Sequence, residues 1–386
     1  MEQEIKHSSL GASTCHRWWE CPGSVKLIAT LPEQEQSFDA AKGTAAHIMA
    51  EKLLKRFKEG KKFDIESWIG HTEMIGDYEI EYTEDMVEAV TVYIDAIQYE
   101  TKRLGTGVQF LSIEEPFNLD VDKEAWGIND CSLYIPFDRL LVWDYKNGVG
   151  VVEVYNNKQL MYYALGALKG KDVDRVDTYI IQPNAYHPEG VVRRCSYTID
   201  QLKDFEKQLK IHIGHTRRTN APLRAGDHCK WCPAIGDCPE VRAETEIIAK
   251  QDFATVKDFP TEHLIKLVSM SPRILDFLKE AQLTLKAKAE RGETVEGFKL
   301  VKAKSNRIWS DPKAVVNSFS NIFGDEMYGE RKLKTPAQME KMAKGILQND
   351  ELLPYIEKPN NGLQLVLNSD PRKAVKESAG EDFKDV

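Results

Sequence analysis

The sequence predicts an α/β fold with a mixed central sheet, and the order of its patterned segments is the main reason. Two segments of helical composition come first. Three short apolar or aromatic segments typical of strands follow, then a helix, two more strands and another helix. Strands interleaved with helices in this way are typical of a sheet covered by helices. The 386 residues allow two domains, or one domain with an appendage.

The first two helices are predicted from composition and from their ends. Residues 40–60 place apolar side chains at roughly helical spacing and end at Gly60. Residues 83–104 begin at Thr83, continue with acidic residues in the first turn and end before Gly105. Both segments are therefore expected to be helices that cover the sheet.

The strands are predicted from short apolar segments that are separated by turn residues. The first three are FLSIEEPFNL, WGINDCSLYIPF and RLLVWDYKN. The helical segment KQLMYYALGALKG separates them from VDTYIIQP and VVRRCSYTI, and a helix is predicted again at 199–218. We place this α/β domain at 1–250 and a mostly helical C-terminal accessory domain, an α+β extension, at 251–386.

Composition limits the class of protein. No apolar segment approaches the ~20 residues of a membrane helix, and the polar N-terminus lacks the apolar core of a signal peptide. We therefore expect a cytoplasmic protein with reduced thiols and no membrane partner, in which seven cysteines favour metal binding over disulfides. The net charge of −9 argues mildly against nucleic acid as a partner but does not exclude local basic patches.

An acidic pair and a lysine are the strongest sign of chemistry. Asp144 and Lys146 end an apolar strand and share one face, because side chains alternate along a strand. Asp130 lies 14 residues earlier on the preceding predicted strand, so a hairpin would bring the two aspartates together. Carboxylates beside a lysine suit metal-assisted hydrolysis of a phosphodiester, although an Asp-x-Lys triplet alone is usually a surface pair.

Two pairs of residues four apart on helices add to this pattern. His47 and Glu51 share one face of the first helix, where an imidazole can bind a metal or pack in the core. Gln159 and Tyr163 share a face of the helix after the Asp-x-Lys strand. They can bind a phosphate or orient the lysine, or serve only in capping and packing.

Three cysteines form a compact C-x2-C-x5-C motif: Cys229, Cys232 and Cys238. Three close thiolates indicate a metal site that needs a fourth ligand, for which Cys15 and Cys21 are candidates. Zinc and an iron–sulfur cluster both accept four cysteines, and the spacing does not separate them.

A basic segment precedes this motif. Residues 201–224 contain six basic and two acidic residues, which suits either a solvated helix or phosphate contacts. The candidate DNA-binding residues are Arg17, Trp18, Arg217 and Arg218.

The order G-x3-H-x3-E, Asp, Asp-x-Lys and Q-x3-Y resembles the RecB-type branch of the PD-(D/E)xK nucleases. The resemblance implies a restriction-endonuclease-like core and a Mg²⁺- or Mn²⁺-dependent DNA exonuclease. It implies metal binding by His47, Asp130, Asp144 and the Tyr145 carbonyl, catalysis by Lys146, and a supporting role for Gln159 and Tyr163. The alternatives are an endonuclease or branched-DNA nuclease, an inactive DNA-binding accessory protein and a zinc-stabilised interaction module.

Some RecB-type nucleases carry one cysteine before the catalytic motifs and three after them. By that resemblance, a structural [4Fe–4S] cluster is expected on Cys21, Cys229, Cys232 and Cys238. Segments such as HSSLGASTCHRWWECPGSVKL and GFKLVKAKSNRIW resemble a phage and prophage family of candidate exonucleases. This implies DNA processing or recombination in a bacterial cytoplasm, with DNA as partner. A single-strand annealing or binding protein and an oligomer are further expectations.

Overall fold

The computed structural model describes residues 8–32, 36–249 and 259–291, with isolated positions up to 298. The chain divides into two compact units, residues 1–285 with 371–386, and residues 286–370. The fold described below belongs to the first unit. Most of the predicted accessory domain lies outside the described residues, and its boundary near residue 250 stays a prediction.

The centre of the first unit is a mixed five-stranded sheet in the order β3-β4-β5-β6-β7. Strands β3, β4 and β5 pair antiparallel, β5 and β6 pair parallel, and β6 and β7 pair antiparallel. A separate hairpin consists of β1 and β2. The strands are β1 (Thr72–Ile75), β2 (Tyr78–Glu81), β3 (Gln109–Asn118), β4 (Trp126–Ile135), β5 (Arg139–Tyr145), β6 (Arg175–Ile181) and β7 (Val192–Thr198).

Helices cover both faces of this sheet. One core cluster joins the sheet to α3 and α4, and a second joins it to α1, α5 and α6. The helices are α1 (Cys15–Glu20), α2 (Ser24–Ile28), α3 (Phe38–Lys58), α4 (Glu84–Leu104), α5 (Lys158–Leu168), α6 (Ile199–Arg217), α7 (Pro239–Ala249) and α8 (Thr261–Glu290). The predicted mixed sheet, its five strands and the helices that flank them are therefore confirmed.

Side-chain alternation along β5 decides which groups reach which layer. Leu141 and Trp143 pack in the cluster with α3 and α4, whereas Leu140 and Val142 pack in the cluster with α5 and α6. By the same alternation, Asp144 lies on the α5 side of the sheet. The buried strand thus delivers a carboxylate to the helix that follows it.

Local capping explains where the long helices begin. The side chains of Ser37, Thr83 and Thr198 accept backbone N–H groups at the first turns of α3, α4 and α6, and Thr198 with Gln201 forms a capping box. The sequence analysis missed the β1–β2 hairpin and the short helices α1 and α2. Within the described residues, no helix combines the length and the apolar character that crossing a membrane requires.

Candidate functional site

The hairpin of β4 and β5 brings the two predicted aspartates to one end of the sheet. The pair of β4 and β5 farthest from the turn is Cys131 opposite Trp143. Asp130 and Asp144 are the next residues beyond that pair. The Asp130 carboxylate accepts the backbone N–H of Tyr145 at 2.7 Å. Both aspartates are buried. The proximity predicted from a hairpin is therefore present, and one carboxylate also fixes the end of the neighbouring strand.

A hydrogen-bonded chain links Asp144 to helix α5. Lys146 Nζ lies 2.9 Å from Asp144 Oδ2 in an ion pair and donates to Asp144 Oδ1 at 3.1 Å. The same ammonium donates to Gln159 Oε1 at 3.1 Å. Gln159 Nε2 in turn donates to Tyr163 Oη at 2.9 Å. The structure thus brings together Asp144, Lys146, Gln159 and Tyr163, and the lysine is held from two sides.

A three-residue donor set lies beside this chain. One ligand atom from each of His47, Glu114 and Asp130 lies within 4.8 Å of the other two. His47 Nδ1 is 2.8 Å from Glu114 Oε1 and 3.8 Å from Asp130 Oδ1. An imidazole and two carboxylates in this arrangement fit a divalent cation.

Glu114 is the site residue that the sequence analysis missed. It lies on β3 between Ile113 and Glu115, which pair with Cys131 and Asn129, so it stands opposite Asp130. Its φ of 49° is in the left-handed region, which is uncommon for a residue other than glycine and marks a local distortion of the strand. The sequence signal that could have identified Glu114 is its position as an acidic residue within the apolar segment FLSIEEPF.

Burial and neighbouring charges shift the titration of these groups. Burial raises the pKa of Asp144 to about 6, although Lys146 lowers it. Burial also raises the pKa of Asp130 to about 6, against the effect of His47. Burial lowers the pKa of His47, but Asp130 and Glu114 outweigh it and bring that pKa to about 9. Deprotonation is therefore coupled to any metal binding at this site.

Two buried side chains hold the segment between Lys146 and Gln159: Gln182, just after β6, and Arg193, on β7. Gln182 follows β6, is fully buried and donates to the carbonyls of Gly148 and Gly150 at 2.9 and 2.7 Å. Arg193 donates to the Val152 carbonyl at 2.8 Å and to Gln182 Oε1 at 3.0 Å. These bonds hold the connection from the lysine strand to helix α5.

A second cluster of candidate ligands lies elsewhere in the unit. Cys21, Cys229, Cys232 and Cys238 line one cavity, together with Arg17 and apolar side chains such as Leu27, Leu223 and Ile235. Backbone N–H groups of Arg224 and Gly226 donate to the sulfur atoms of Cys21 at 3.3 Å and Cys229 at 3.4 Å. Burial raises the pKa of the Cys229 thiol to about 11.

Cys15, the other candidate for the fourth ligand, lies in a different environment. It is fully buried in the core cluster that contains Trp18, Tyr162 and Leu202. Of the two N-terminal cysteines, Cys21 is the one that lines the cavity with the C-x2-C-x5-C motif.

The family model described as "Protein of unknown function (DUF2800)" matches residues 7–373. The chain belongs to the DUF2800 family. It is also similar to a crystal structure described as "Putative exonuclease" from Eubacterium rectale, with 13% identity, a TM-score of 0.34, and coverage of 61% of this chain and 91% of that one. For the crystal structure of SSO0001 the identity is 10%, the TM-score is 0.23, and the coverage is 58% and 96%.

The four predicted DNA contacts lie in different environments in this DUF2800 protein, and the prediction for Trp18 needs correction. Trp18 is fully buried and donates its ring N–H to the Gly11 carbonyl at 3.3 Å, so its ring is not available for base stacking. Arg17 faces the cysteine cavity, and Arg217 forms an ion pair with Asp122. Only Arg218, of the four predicted residues, remains exposed without such a contact in the described part of the chain.

Pairing also reduces the free charge of the basic segment. Lysines of α6 form ion pairs with acidic residues one turn away: Lys203 with Asp200, Lys207 with Asp204, and Lys210 with Glu206. Glu51, predicted to share a face with His47, pairs with Lys55 instead of joining the donor set. The interpretation as a solvated helix thus fits α6 better than a phosphate-binding surface.

Proposed function

We propose that this chain is a divalent-metal-dependent DNA exonuclease of the PD-(D/E)xK type. The observation that carries the proposal is the convergence at one end of the sheet. There the ion pair of Asp144 and Lys146 adjoins the donor set of His47, Glu114 and Asp130. Two buried carboxylates beside an ammonium and a metal-binding set are what hydrolysis of a phosphodiester requires.

The ligand atoms support Mg²⁺ or Mn²⁺ as the bound ion. The two carboxylates of the donor set favour hard divalent cations such as Mg²⁺ and Mn²⁺, and the imidazole of His47 adds one nitrogen ligand. A cation here would polarise the scissile phosphate and lower the pKa of a bound water. His47, Glu114 and Asp130 would hold it, and we retain Asp144 and the Tyr145 carbonyl as further proposed ligands.

The protein's own groups supply orientation and charge. Lys146 is within 3.1 Å of both Asp144 Oδ1 and Gln159 Oε1, which fixes the direction of its ammonium. Burial lowers the pKa of Lys146, but Asp144 and Asp130 outweigh it, so the group keeps its proton. A fixed ammonium can orient the attacking water and offset the negative charge that develops on the phosphate. Gln159 and Tyr163 act by holding this lysine.

We also propose that the cysteine cavity holds a structural [4Fe–4S] cluster. The four cysteines line one cavity, and four thiolates are the full ligand set of such a cluster. Zinc accepts the same four ligands, and the choice of the cluster rests on the resemblance of the cysteine motif to RecB-type nucleases. The cluster would connect Cys21 to a segment far along the chain and restrict the unfolded state.

The proposed substrate is DNA at its ends, in phage recombination or DNA processing within a bacterial cytoplasm. A single-strand annealing or binding protein is the proposed partner, and a ring-forming oligomer would suit processive digestion. These points rest on the resemblance of the motifs to RecB-type nucleases.

The test is time-resolved digestion of end-labelled linear and circular duplex DNA with Mg²⁺ or Mn²⁺, using anaerobically purified protein. The comparison variants are Asp144→Asn and, as a control, Asp138→Asn, in the turn at the opposite end of the hairpin. We expect loss of linear DNA only, unaffected by the control and abolished by Asp144→Asn. Cutting of circles would indicate an endonuclease, and binding without cleavage would indicate an inactive accessory protein.

A further inference from the structure

The cysteine cavity has two guanidinium groups in its wall, those of Arg17 and Arg224. Arg224 donates to the Glu20 carbonyl at 3.2 Å, whereas the role of Arg17 is left unexplained by the proposed function. Arg17 lies on α1, four residues before Cys21, and its carbonyl accepts the Cys21 backbone N–H at 2.8 Å. Residues four apart share one face of a helix, so Arg17 and Cys21 both face the cavity. The guanidinium is therefore part of the cavity wall.

The Arg17 guanidinium lacks an acceptor among the described residues. Its Nε is buried and makes no hydrogen bond. A buried donor without an acceptor destabilises the folded protein, and more so when the group is charged. An unpaired buried donor of this kind is explained when something outside the chain, such as a bound group, supplies its acceptor.

The other side chains of the cavity indicate the kind of acceptor. Arg17 lines the same cavity as Cys21, Cys229, Cys232 and Cys238. The cavity is otherwise lined by apolar side chains and the side chains of Ser24, Arg224 and His228, with no carboxylate among them. Thiolates and what they bind are therefore the anions that this guanidinium faces.

We propose that Arg17 is the counter-charge of a thiolate-bound metal group in this cavity and donates a hydrogen bond to one of its sulfur atoms. This inference rests on the proposed cluster. Four thiolates around a group with a charge of 2+ would leave a net negative charge, which the half-buried guanidinium of Arg17 would offset. Arg17 is thus a positioning residue for the cluster, and it replaces the DNA contact expected from the sequence.

Two variants separate charge from hydrogen-bond geometry. Arg17→Gln removes the charge at similar length, and Arg17→Lys keeps the charge but loses the planar fork. The control is Arg242→Gln, because Arg242 is an exposed residue on α7 that pairs with Glu246. Each full-length protein is purified anaerobically, and its iron, acid-labile sulfide and zinc are measured.

The main readouts are the half-life of the cluster absorbance in air and the reduction potential by voltammetry, in which one electron passes from the electrode to the cluster. Because a charge-assisted hydrogen bond to the cluster would be lost, Arg17→Gln should shorten the half-life about tenfold or more. Loss of a nearby cation should also make the potential more negative, by about 59 mV for a tenfold change in the one-electron equilibrium. The half-life and the potential of Arg17→Lys should fall between those of the wild type and of Arg17→Gln. Both values of the Arg242→Gln control should match the wild type.

The outcomes distinguish the two proposals. If the wild type holds iron and sulfide and both Arg17 variants match it in half-life and potential, the role of Arg17 is overturned while the cluster stands. If Arg17→Gln cannot hold the cluster but Arg17→Lys can, the charge requirement is supported. A wild type with zinc alone overturns the cluster, and faster zinc release to a chelator from Arg17→Gln than from the control still supports the counter-charge. A wild type without either metal overturns both the cluster and Arg17, whereas DNA cleavage reports separately on the nuclease.

Discussion

The carboxylate end of the sheet and the cysteine cavity differ in how their polar groups are satisfied. At the sheet end, each charged group already has a protein partner: Lys146 has Asp144 and Gln159, and His47 has Glu114. In the cavity, the thiols have few partners and the Arg17 Nε has none among the described residues. The first region has protein partners for its charged groups without an ion, whereas the second would depend on its occupant if it holds the proposed cluster. Removing a group from each region should therefore damage different properties.

After Asp144→Asn, the largest effect on cleavage is expected from Lys146→Met. Removing one preorganised electrostatic group from a site typically lowers kcat by about 10²–10³-fold. Asp144 keeps the Gln159 Nε2 donor at 3.3 Å. It loses its buried ion-pair partner, so stability should also fall, and thermal unfolding measures this separately from cleavage. Single-turnover cleavage beside Lys169→Met, an exposed lysine paired with Asp120, measures the effect. Equal rates in the two variants would remove the lysine from the mechanism.

The largest effect on stability is expected from Cys232→Ser. Loss of the cluster should remove a connection across a long segment of chain, and by analogy with a lost crosslink this costs about 2–5 kcal/mol. The matched variant is Cys195→Ser on β7, a half-buried cysteine outside the cavity, for which a change within about 1 kcal/mol is expected. Thermal unfolding and iron content check both. A Cys232→Ser protein that unfolds like the wild type would contradict the structural role of the cavity.

A smaller effect, on metal affinity, is expected from Glu114→Gln. The amide keeps the shape but loses a charged ligand, so the Mn²⁺ concentration for half-maximal activity should rise at least about tenfold. Glu115→Gln is an ideal comparison, because Glu115 is the exposed neighbour on the same strand. Metal titrations of the two variants should diverge. If they coincide, Glu114 is not a ligand.

The smallest effect concerns DNA affinity outside the site. Arg218→Ala should reduce the dependence of DNA binding on salt by about one phosphate contact. Arg217→Ala should change it less, since that guanidinium is already paired with Asp122. Binding measured over a range of salt concentrations, in the Asp144→Asn background, compares them. A larger change for Arg217→Ala than for Arg218→Ala would mean that the ion pair of Arg217 and Asp122 opens when DNA binds.

The sequence predicted the parts of this molecule that depend on local pattern. The order of strands and helices, and the hairpin that joins Asp130 to Asp144, follow from periodicity and turn residues. Glu114 was missed because its role depends on the register of β3 against β4, which no single segment encodes. Trp18 was misjudged because exposure is a property of tertiary packing.

The cysteine cavity combines Cys21, near the N-terminus, with three cysteines that come about two hundred residues later. This separation has a consequence for biosynthesis. All the catalytic candidates lie between His47 and Tyr163, and the sheet is complete at Thr198, well before Cys229 and Cys238 leave the ribosome. With the proposed cluster, Cys21 would stay unligated until its partners are synthesised, while the sheet end can already assemble. A metal group that uses all four thiols can be inserted only after Cys238 has been synthesised. Its insertion would therefore follow the synthesis of the whole sheet and report that the cysteine segment has folded back onto α1.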